Sequence, residues 1–334
     1  GVAANSGNAN ACCPQSHENA EAMSVSAAAA TGREPGDFVV ASTGVIGQTI
    51  NISAIQAGLP QAAAALSADG SDAAAHAIMT TDTVKKEIAV SLTIGGKEVR
   101  LGAIAKGSGM IHPNMGTMLA FITTDCAITH EMLSDALHEV VARTFNRVTV
   151  DGDTSTNDMC VVLANGMAGN SLIEWKDQDY ETFLAALEEV CRYLSRAIAG
   201  DGEGASKLVT CKMHGARSEE SAERLAKAVV GSSLVKAAMF GADANWGRVL
   251  CAMGYSKAPF RPEHVDVSFC SQAGSILVCK QGDGVDFDED KAKTILTEKE
   301  VIIDVDLHEG DESAECWGCD LTYDYVKING DYRT

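Results

Sequence analysis

Thr117 is placed where a hydroxyl could become a nucleophile. It follows a small residue, Gly116, and precedes an apolar run, Met118–Ile122, patterned as a buried strand. A threonine hydroxyl is weak until a base takes its proton. An internal threonine can make that base itself. It attacks the carbonyl before it, the peptide becomes an ester, and water hydrolyses the ester to free an α-amine. Such an amine titrates at about 8, so part of it is unprotonated at neutral pH and can serve its own hydroxyl. Gly116 suits the first step because it leaves the carbonyl open and tolerates a strained backbone. The predicted chemistry is self-cleavage between Gly116 and Thr117, then acyl transfer through Thr117. A Gly-Thr pair is common in sequences, so the stretch raises this chemistry without deciding it.

An acyl-transfer site also needs donors for an oxyanion. Glycine-rich turns can supply backbone N–H groups. Ser42-Thr43-Gly44 directly follows a short apolar strand at 38–40, and the Thr43 hydroxyl adds a donor. Lys106 is the sole Lys or Arg in the stretch Lys106–Asp125 and could hold a substrate carboxylate.

Several elements must position these residues. Residues 2–11 read as a short strand running into a small-residue loop, and a helix at 18–30 ends at Gly32. The segment 52–66 looks helical but interrupted by Gly58 and Pro60, and a short helix is expected at 71–78. Ile88, Val90, Leu92 and Ile94 alternate, Gly95-Gly96 turns the chain, and Val99 and Leu101 resume the alternation, which predicts a β-hairpin leading into Lys106. Thr129 should cap a helix over 130–145. Strand-like runs at 147–150 and 159–164 flank a loop rich in Asp, Thr and Ser. A long helix is expected at 179–199 from the spacing of Phe183, Leu187, Leu194 and Ile198. Further on, strands are expected at 207–213, 237–240, 265–270, 275–280, 300–306 and 319–328, with helices at 218–229, 246–253 and 288–296. Helices mixed with antiparallel hairpins argue α+β rather than a Rossmann-type sheet.

Composition narrows the function classes. The chain has 334 residues, 46% hydrophobic and 22% charged, enough for a sizeable core. Its net charge of −20 argues against nucleic acid, which needs a basic face. No apolar run is long enough for a membrane helix, and no signal peptide is visible. The chain starts at Gly1, with Val2-Ala3-Ala4 reading like the interior of a strand, so its natural start is expected to lie upstream. Eleven cysteines without regular spacing suggest reduced thiols and a cytoplasmic setting, with an organelle matrix left open. Cys316 and Cys319 form a CxxC, read as structural because no second ligand pair for zinc follows. His112, five residues before Thr117, is read as structural. Asp151, Asp153 and Asp158 are read as a turn network, since the EF-hand glycine and final Glu are missing. No metal site is expected.

Six motifs then stand in a recognisable order: NSGNANA at 5–11, ASTGVIG at 41–47, the Lys106–Asp125 stretch, TVDGDTSTND at 149–158, GDGEGA at 200–205 and GADANWGR at 241–248. With them the chain resembles the ornithine acetyltransferase family, the glutamate N-acetyltransferases of arginine biosynthesis, from Asn5 to the final residues. The resemblance implies a self-processing layered α/β sandwich of the ornithine acetyltransferase and aminopeptidase type, with mixed and antiparallel sheets covered by helices. It implies an α chain, 1–116, and a β chain, 117–334, that starts at the nucleophile. It assigns the oxyanion donors to Thr43 and Gly44, and substrate contacts to Thr80, Lys106, Thr117, Glu203, Asn329 and Thr334. Acetyl would pass from N2-acetylornithine to Thr117 and then to glutamate, with no cofactor. Acetyl-CoA is a possible second donor, and the assembly implied is a dimer of α/β heterodimers. The chain departs from the family pattern in three ways. The family carries several tens of residues before the point where this sequence begins, this chain has Gly rather than the commoner Ala at 116, and Cys13-Pro14 replaces a usual Thr-Gly. The rival readings are a related self-processing amidohydrolase or aminopeptidase, with water as acceptor, and an uncleaved protein that only binds amino-acid metabolites.

Overall fold

The computed structural model describes residues 1–112 and 118–331. The chain begins with β1 (Val2–Asn8), α1 (Ser16–Thr31) and β2 (Val39–Val45). Helix α1 ends where Gly32 adopts φ +68°, and the Gly32 N–H returns to the Ala28 carbonyl. Two outer helices follow, α2 (Ile52–Ala64) and α3 (Ser71–Ala77). Helix α2 runs unbroken through Gly58 and Pro60, contrary to expectation. None of its residues is buried, so the lost backbone bond at Pro60 opens to water instead of leaving a core carbonyl unpaired.

A central sheet comes next. β3 (Lys86–Ile94) and β4 (Lys97–Lys106) form the expected hairpin about Gly95-Gly96, both at positive φ. β5 (Leu119–Thr124) pairs antiparallel with β4, and Lys106 faces Leu119 in the register. Helix α4 (His130–Arg143) starts at Thr129, whose hydroxyl accepts from the Met132 N–H. β6 (Met159–Ala164) then joins β5 in parallel, giving the order β3-β4-β5-β6. Residues 147–150 are not a strand. A 3-10 turn spans Phe145–Arg147, and Val148 makes one isolated bridge with Trp317.

Helix α5 (Gln178–Gly200) is capped by Asp177, which accepts from the N–H groups of Asp179 and Tyr180. Phe183, Leu184, Leu187, Val190, Leu194 and Ile198 form its buried stripe against the central sheet. Each such side chain contributes about 1.5–3 kcal/mol on burial. The opposite face of the sheet, through Ile104, Leu119, Phe121, Met159 and Val161, packs against Val2 and Ala41 of the parallel β1-β2 pair.

The remaining half builds a second sheet. Its elements are β7 (Leu208–Ala216), α6 (Glu219–Gly231), α7 (Ser233–Phe240), α8 (Trp246–Tyr255), β8 (Asp266–Ser271), β9 (Gly274–Lys280), the short β10 (Asp283–Gly284), α9 (Glu289–Leu296), β11 (Glu300–Asp306), β12 (Glu312–Cys319) and α10 (Tyr323–Asp331). The strand order is β10-β9-β8-β11-β7-β12, with β11 and β7 parallel and the other pairs antiparallel. Mixed and antiparallel sheets under helices are thus the architecture, as expected.

Two strand expectations fail here. Residues 237–240 belong to α7, which Ser232 caps by accepting from the Val235 N–H. A four-residue apolar run does not separate a strand from a buried helical turn. At 319–328, β12 stops at Cys319 and α10 follows. The turn is fixed at Asp320, whose carboxylate takes the Ser206 N–H at 2.8 Å and the Lys207 N–H at 3.1 Å, and at Thr322, which accepts from Tyr325 N–H at 3.3 Å.

Candidate active site

One cleft gathers residues from widely separated parts of the chain. Its walls include Thr43 and Gly44 from β2, Thr80 and Thr81, Lys106 at the end of β4, Gly109 and Met110, Ser155 and Asn157, Glu203 after α5, and Asn329 from α10. Of the site residues read from sequence, Thr43, Gly44, Thr80, Lys106, Glu203 and Asn329 therefore meet. Gly116, Thr117 and Thr334 lie outside the described residues.

Thr43-Gly44 is not a turn after a strand, as the sequence suggested. Both residues lie within β2, paired in parallel register with Ser6 and Gly7 of β1. Gly44 has φ +126°, and a Cβ there would sit 2.3 Å from the Gly7 carbonyl carbon and oxygen. Only glycine fits that approach. Asn157 secures this region by donating to the Ser42 carbonyl at 3.2 Å and to the Ala9 carbonyl.

Lys106 is only 3% exposed. Its ammonium donates to Thr80 Oγ1 at 2.8 Å and lies 3.9 Å from Asp82 Oδ2. Burial pushes its pKa below the usual lysine value; Asp82, Glu203 and Asp158 pull it back up, and the Lys86 charge pushes it down. Across the cleft the Glu203 carboxylate accepts from Asn329 Nδ2 at 2.7 Å. Gly109 makes room for it, since a Cβ on Gly109 would lie 2.2 Å from the Glu203 carboxyl carbon. The Glu203 N–H donates to the Ser108 carbonyl at 3.0 Å, which ties the Glu203 loop to the stretch after β4. Gly204, at φ +67°, lets the α10 backbone approach: a Cβ there would lie 2.6 Å from Tyr325 N. The site thus holds a buried cation and a carboxylate on one concave surface.

A sequence profile of the ArgJ family matches residues 1–334, the whole chain.

The chain belongs to the ArgJ family.

Among similar proteins, the arginine biosynthesis bifunctional protein ArgJ of Symbiobacterium thermophilum is 54% identical over all of this chain and 82% of its own length. ArgJ 1 of Clostridium acetobutylicum is 50% identical, again over all of this chain and 82% of its own. The crystal structure of ArgJ from Bacillus halodurans matches with a TM-score of 0.61 at 46% identity, covering 64% of this chain and 98% of that one.

Residues flanking the cleft show how it is braced. Asp151 anchors a turn network in the Asp151–Asp158 loop, as read from sequence, but among the described residues the Asp158 carboxylate takes no part in it. Asp151 accepts the N–H groups of Met110 at 2.7 Å and Ile111 at 2.9 Å, and Thr154 donates to the His112 carbonyl at 2.9 Å. Among the described residues no group of three or more His, Cys, Asp or Glu side chains is placed to hold a metal. His112 is half-buried with Nδ1 2.9 Å from Thr149 Oγ1, and burial lowers its pKa. Cys316 and Cys319 fall in two different cores. Burial pushes the Cys316 thiol up to about 12 and raises Cys319 as well, so neither is poised as a thiolate. Cys319 also packs where a Cβ on Gly202 would meet its sulfur at 2.9 Å.

The sequence reading missed Asp82, Lys86 and Asp201, and it gave Asp158 no role of its own. Lys85 and Lys86 are adjacent residues of one type. β3 begins at Lys86, and nothing local to the sequence separates it from Lys85.

Both Asp158 oxygens are buried without a partner in hydrogen-bond geometry among the described residues. Burial pushes this carboxyl up to about 7, against the weaker pull of the nearby Met118 N–H and the Lys106 charge. An unfolded aspartic acid titrates at about 3.9. The folded state therefore binds the proton more tightly, and stability falls as pH rises from about 4 to about 7. Asp158→Asn is expected to remove that loss. Discounted for partial solvation, the gain is about 1–2 kcal/mol at pH 8 and close to zero at about pH 4. Urea midpoints across this range check it, and a gap independent of pH would assign the effect to packing.

Proposed function

We propose that this cleft moves an acetyl group from N2-acetylornithine to glutamate through an acetyl-Thr117 intermediate, after the chain has cut itself between Gly116 and Thr117. Family membership already makes the chain an acyltransferase of arginine biosynthesis. The observation that carries the specific reading is the pairing of Lys106 with Glu203 across one cleft that also contains Thr43 and Gly44. Both amino-acid substrates bear an α-carboxylate that Lys106 and Thr80 can take. Acetylornithine also bears an ammonium that complements Glu203, which Asn329 holds in place.

The steps follow from these roles. The free α-amine of residue 117 takes the proton of its own hydroxyl as the oxygen attacks the acetyl carbonyl. Charge develops on the carbonyl oxygen, which Thr43 and Gly44 stabilise. The C–N bond breaks, and the departing α-amine of ornithine receives the proton. Glutamate then enters the same carboxylate contact, its amine attacks the ester, and N-acetylglutamate leaves. Acetyl-CoA would acylate the same hydroxyl with a thiol as leaving group. The cycle uses no cofactor.

In this reading residues 1–116 and 117–334 are the α and β chains, assembled as a dimer of heterodimers in the cytoplasm. Residues 117–334 make up roughly two thirds of the chain. The solved Bacillus halodurans chain covers 64% of this chain and matches over 98% of its own length. No helix among the described residues is long and apolar enough to cross a membrane.

The test uses N2-acetylornithine labelled in the acetyl group, with and without glutamate. Labelled N-acetylglutamate formed only when glutamate is present is the expected result. Free acetate in both reactions would assign the chain to the self-processing hydrolases instead.

A further inference from the structure

Beneath the cleft lies a buried chain of four charges. The Asp82 side chain is 0% exposed, that of Lys86 1%, Lys106 3% and Asp201 6%. Asp82 Oδ1 accepts from Lys86 Nζ at 2.7 Å and from the Gly107 N–H at 2.7 Å. Asp82 Oδ2 accepts from the Thr80 N–H at 3.2 Å and faces Lys106 Nζ at 3.9 Å. One carboxylate therefore fixes Thr80, Lys106 and the residue after Lys106. Lys86 also donates to Asp201 Oδ2 at 2.6 Å. The Asp201 carboxylate takes the N–H groups of Thr83 and Val84, and the Asp201 carbonyl accepts from Ser108 Oγ at 2.6 Å. Asp201 sits at the C-terminal end of α5, where the helix dipole disfavours a carboxylate, so the Lys86 ammonium is needed there.

The two carboxylates and two ammonium groups balance, but not symmetrically. Lys86 makes short contacts with both carboxylates. Among the described residues Lys106 makes one long contact with Asp82 and one hydrogen bond with a hydroxyl, which leaves donor capacity for a ligand. Without Lys86, Asp82 would be free to draw Lys106 inward.

We propose that Asp82 and Lys86, which do not line the cleft, are the positioning residues of Lys106: Asp82 aims it at the substrate carboxylate and keeps it charged, and Lys86 occupies the same carboxylate so that the attraction stays partial. This rests on the reading of Lys106 as the carboxylate contact. Besides burial, the groups that bear on Lys106 are Asp82 before β3, Lys86 on β3, Glu203 after α5 and Asp158 before β6. The three carboxylates favour its ammonium form and Lys86 opposes it, so removing Asp82 or Lys86 has opposite consequences.

The experiment follows the inhibition constant of N-acetylglutamate in the transferase assay from about pH 7 to about 10.5, a range in which the inhibitor itself does not titrate. Its weakening at high pH reports loss of the Lys106 charge. Asp82→Asn, which keeps the shape of the side chain, is expected to move that limb down by about one pH unit, as loss of a neighbouring charge does. It should also raise KM for glutamate about tenfold with a much smaller change in kcat. Lys86→Met should move the limb up, and Lys86→Arg should leave it in place. If Lys86→Met does not fold, Asp82→Asn and Lys86→Arg decide the matter together. A purely structural role predicts weaker binding at every pH with the limb unmoved, and that result overturns the proposal. Absence of transfer in the parent protein would overturn the functional reading instead, so the two failures are distinct.

Discussion

Thr117→Ala is expected to stay a single chain and to lose acetyl transfer by roughly 10⁴-fold or more, the scale seen when a nucleophile is removed. The loss is expected to be this large because one residue has two roles. In the proposed mechanism its hydroxyl cuts the chain, and the cut produces the amine that activates the hydroxyl. Folding should survive. β5, which follows, is held on both sides by β4 and β6, and the Met118 carbonyl accepts the Met159 N–H at 2.9 Å. Leu119, Ala120 and Ile122 remain in their cores. Intact mass and the labelled-acetyl assay measure the two halves of the prediction. Two fragments from the alanine variant would mean that another group makes the cut. Thr117→Ser should still cleave, because serine keeps the hydroxyl.

The second large effect is expected at Gly44→Ala. The new methyl group would lie 2.3 Å from the backbone of Gly7, and no side-chain rotation can relieve a contact with main chain. β1 cannot simply retreat, because the register runs from Val2 to Asn8 and the Ala9 N–H is tied to the Val45 carbonyl at 2.9 Å. At φ +126° an alanine is also strained. Displaced oxyanion donors typically cost about 10²–10³ in kcat, and overpacking costs about 1–3 kcal/mol of stability. Gly47→Ala is the control. Its φ of +77° strains alanine too, but nothing lies within 4 Å of the added carbon. It should lose stability without a comparable loss of kcat. Similar kcat losses from both variants would remove Thr43-Gly44 from the chemistry.

Much of the fold was legible because its signals are local. The stripe on α5, the Thr129 cap of α4 and the Gly95-Gly96 hairpin each depend on residues a few positions apart. Residues 237–240 and 319–328 were misread for the same reason. Short apolar or alternating runs carry no length signal, and a cap at Ser232 and a turn at Asp320 settled them. Thr43-Gly44 was found as a motif but misplaced as a turn, because Gly44 facing Gly7 across parallel strands is invisible in one strand alone.

For the site, the sequence by itself determined the types of group available: a hydroxyl after a small residue, a lone lysine, a glycine-flanked glutamate. The family resemblance added which of them belong together. Only the tertiary structure decided that Lys106 is buried against Asp82 and that Glu203 faces it with Asn329 as its holder. It alone distinguished Lys85, whose side chain is 37% exposed, from its neighbour Lys86 at 1%. The physical reason is range. Hydrogen-bonded periodicity is set over a few residues, whereas the charge state of a buried group is set by every charge within several ångströms. For Lys86 one of those charges, Asp201, lies 115 positions away along the chain.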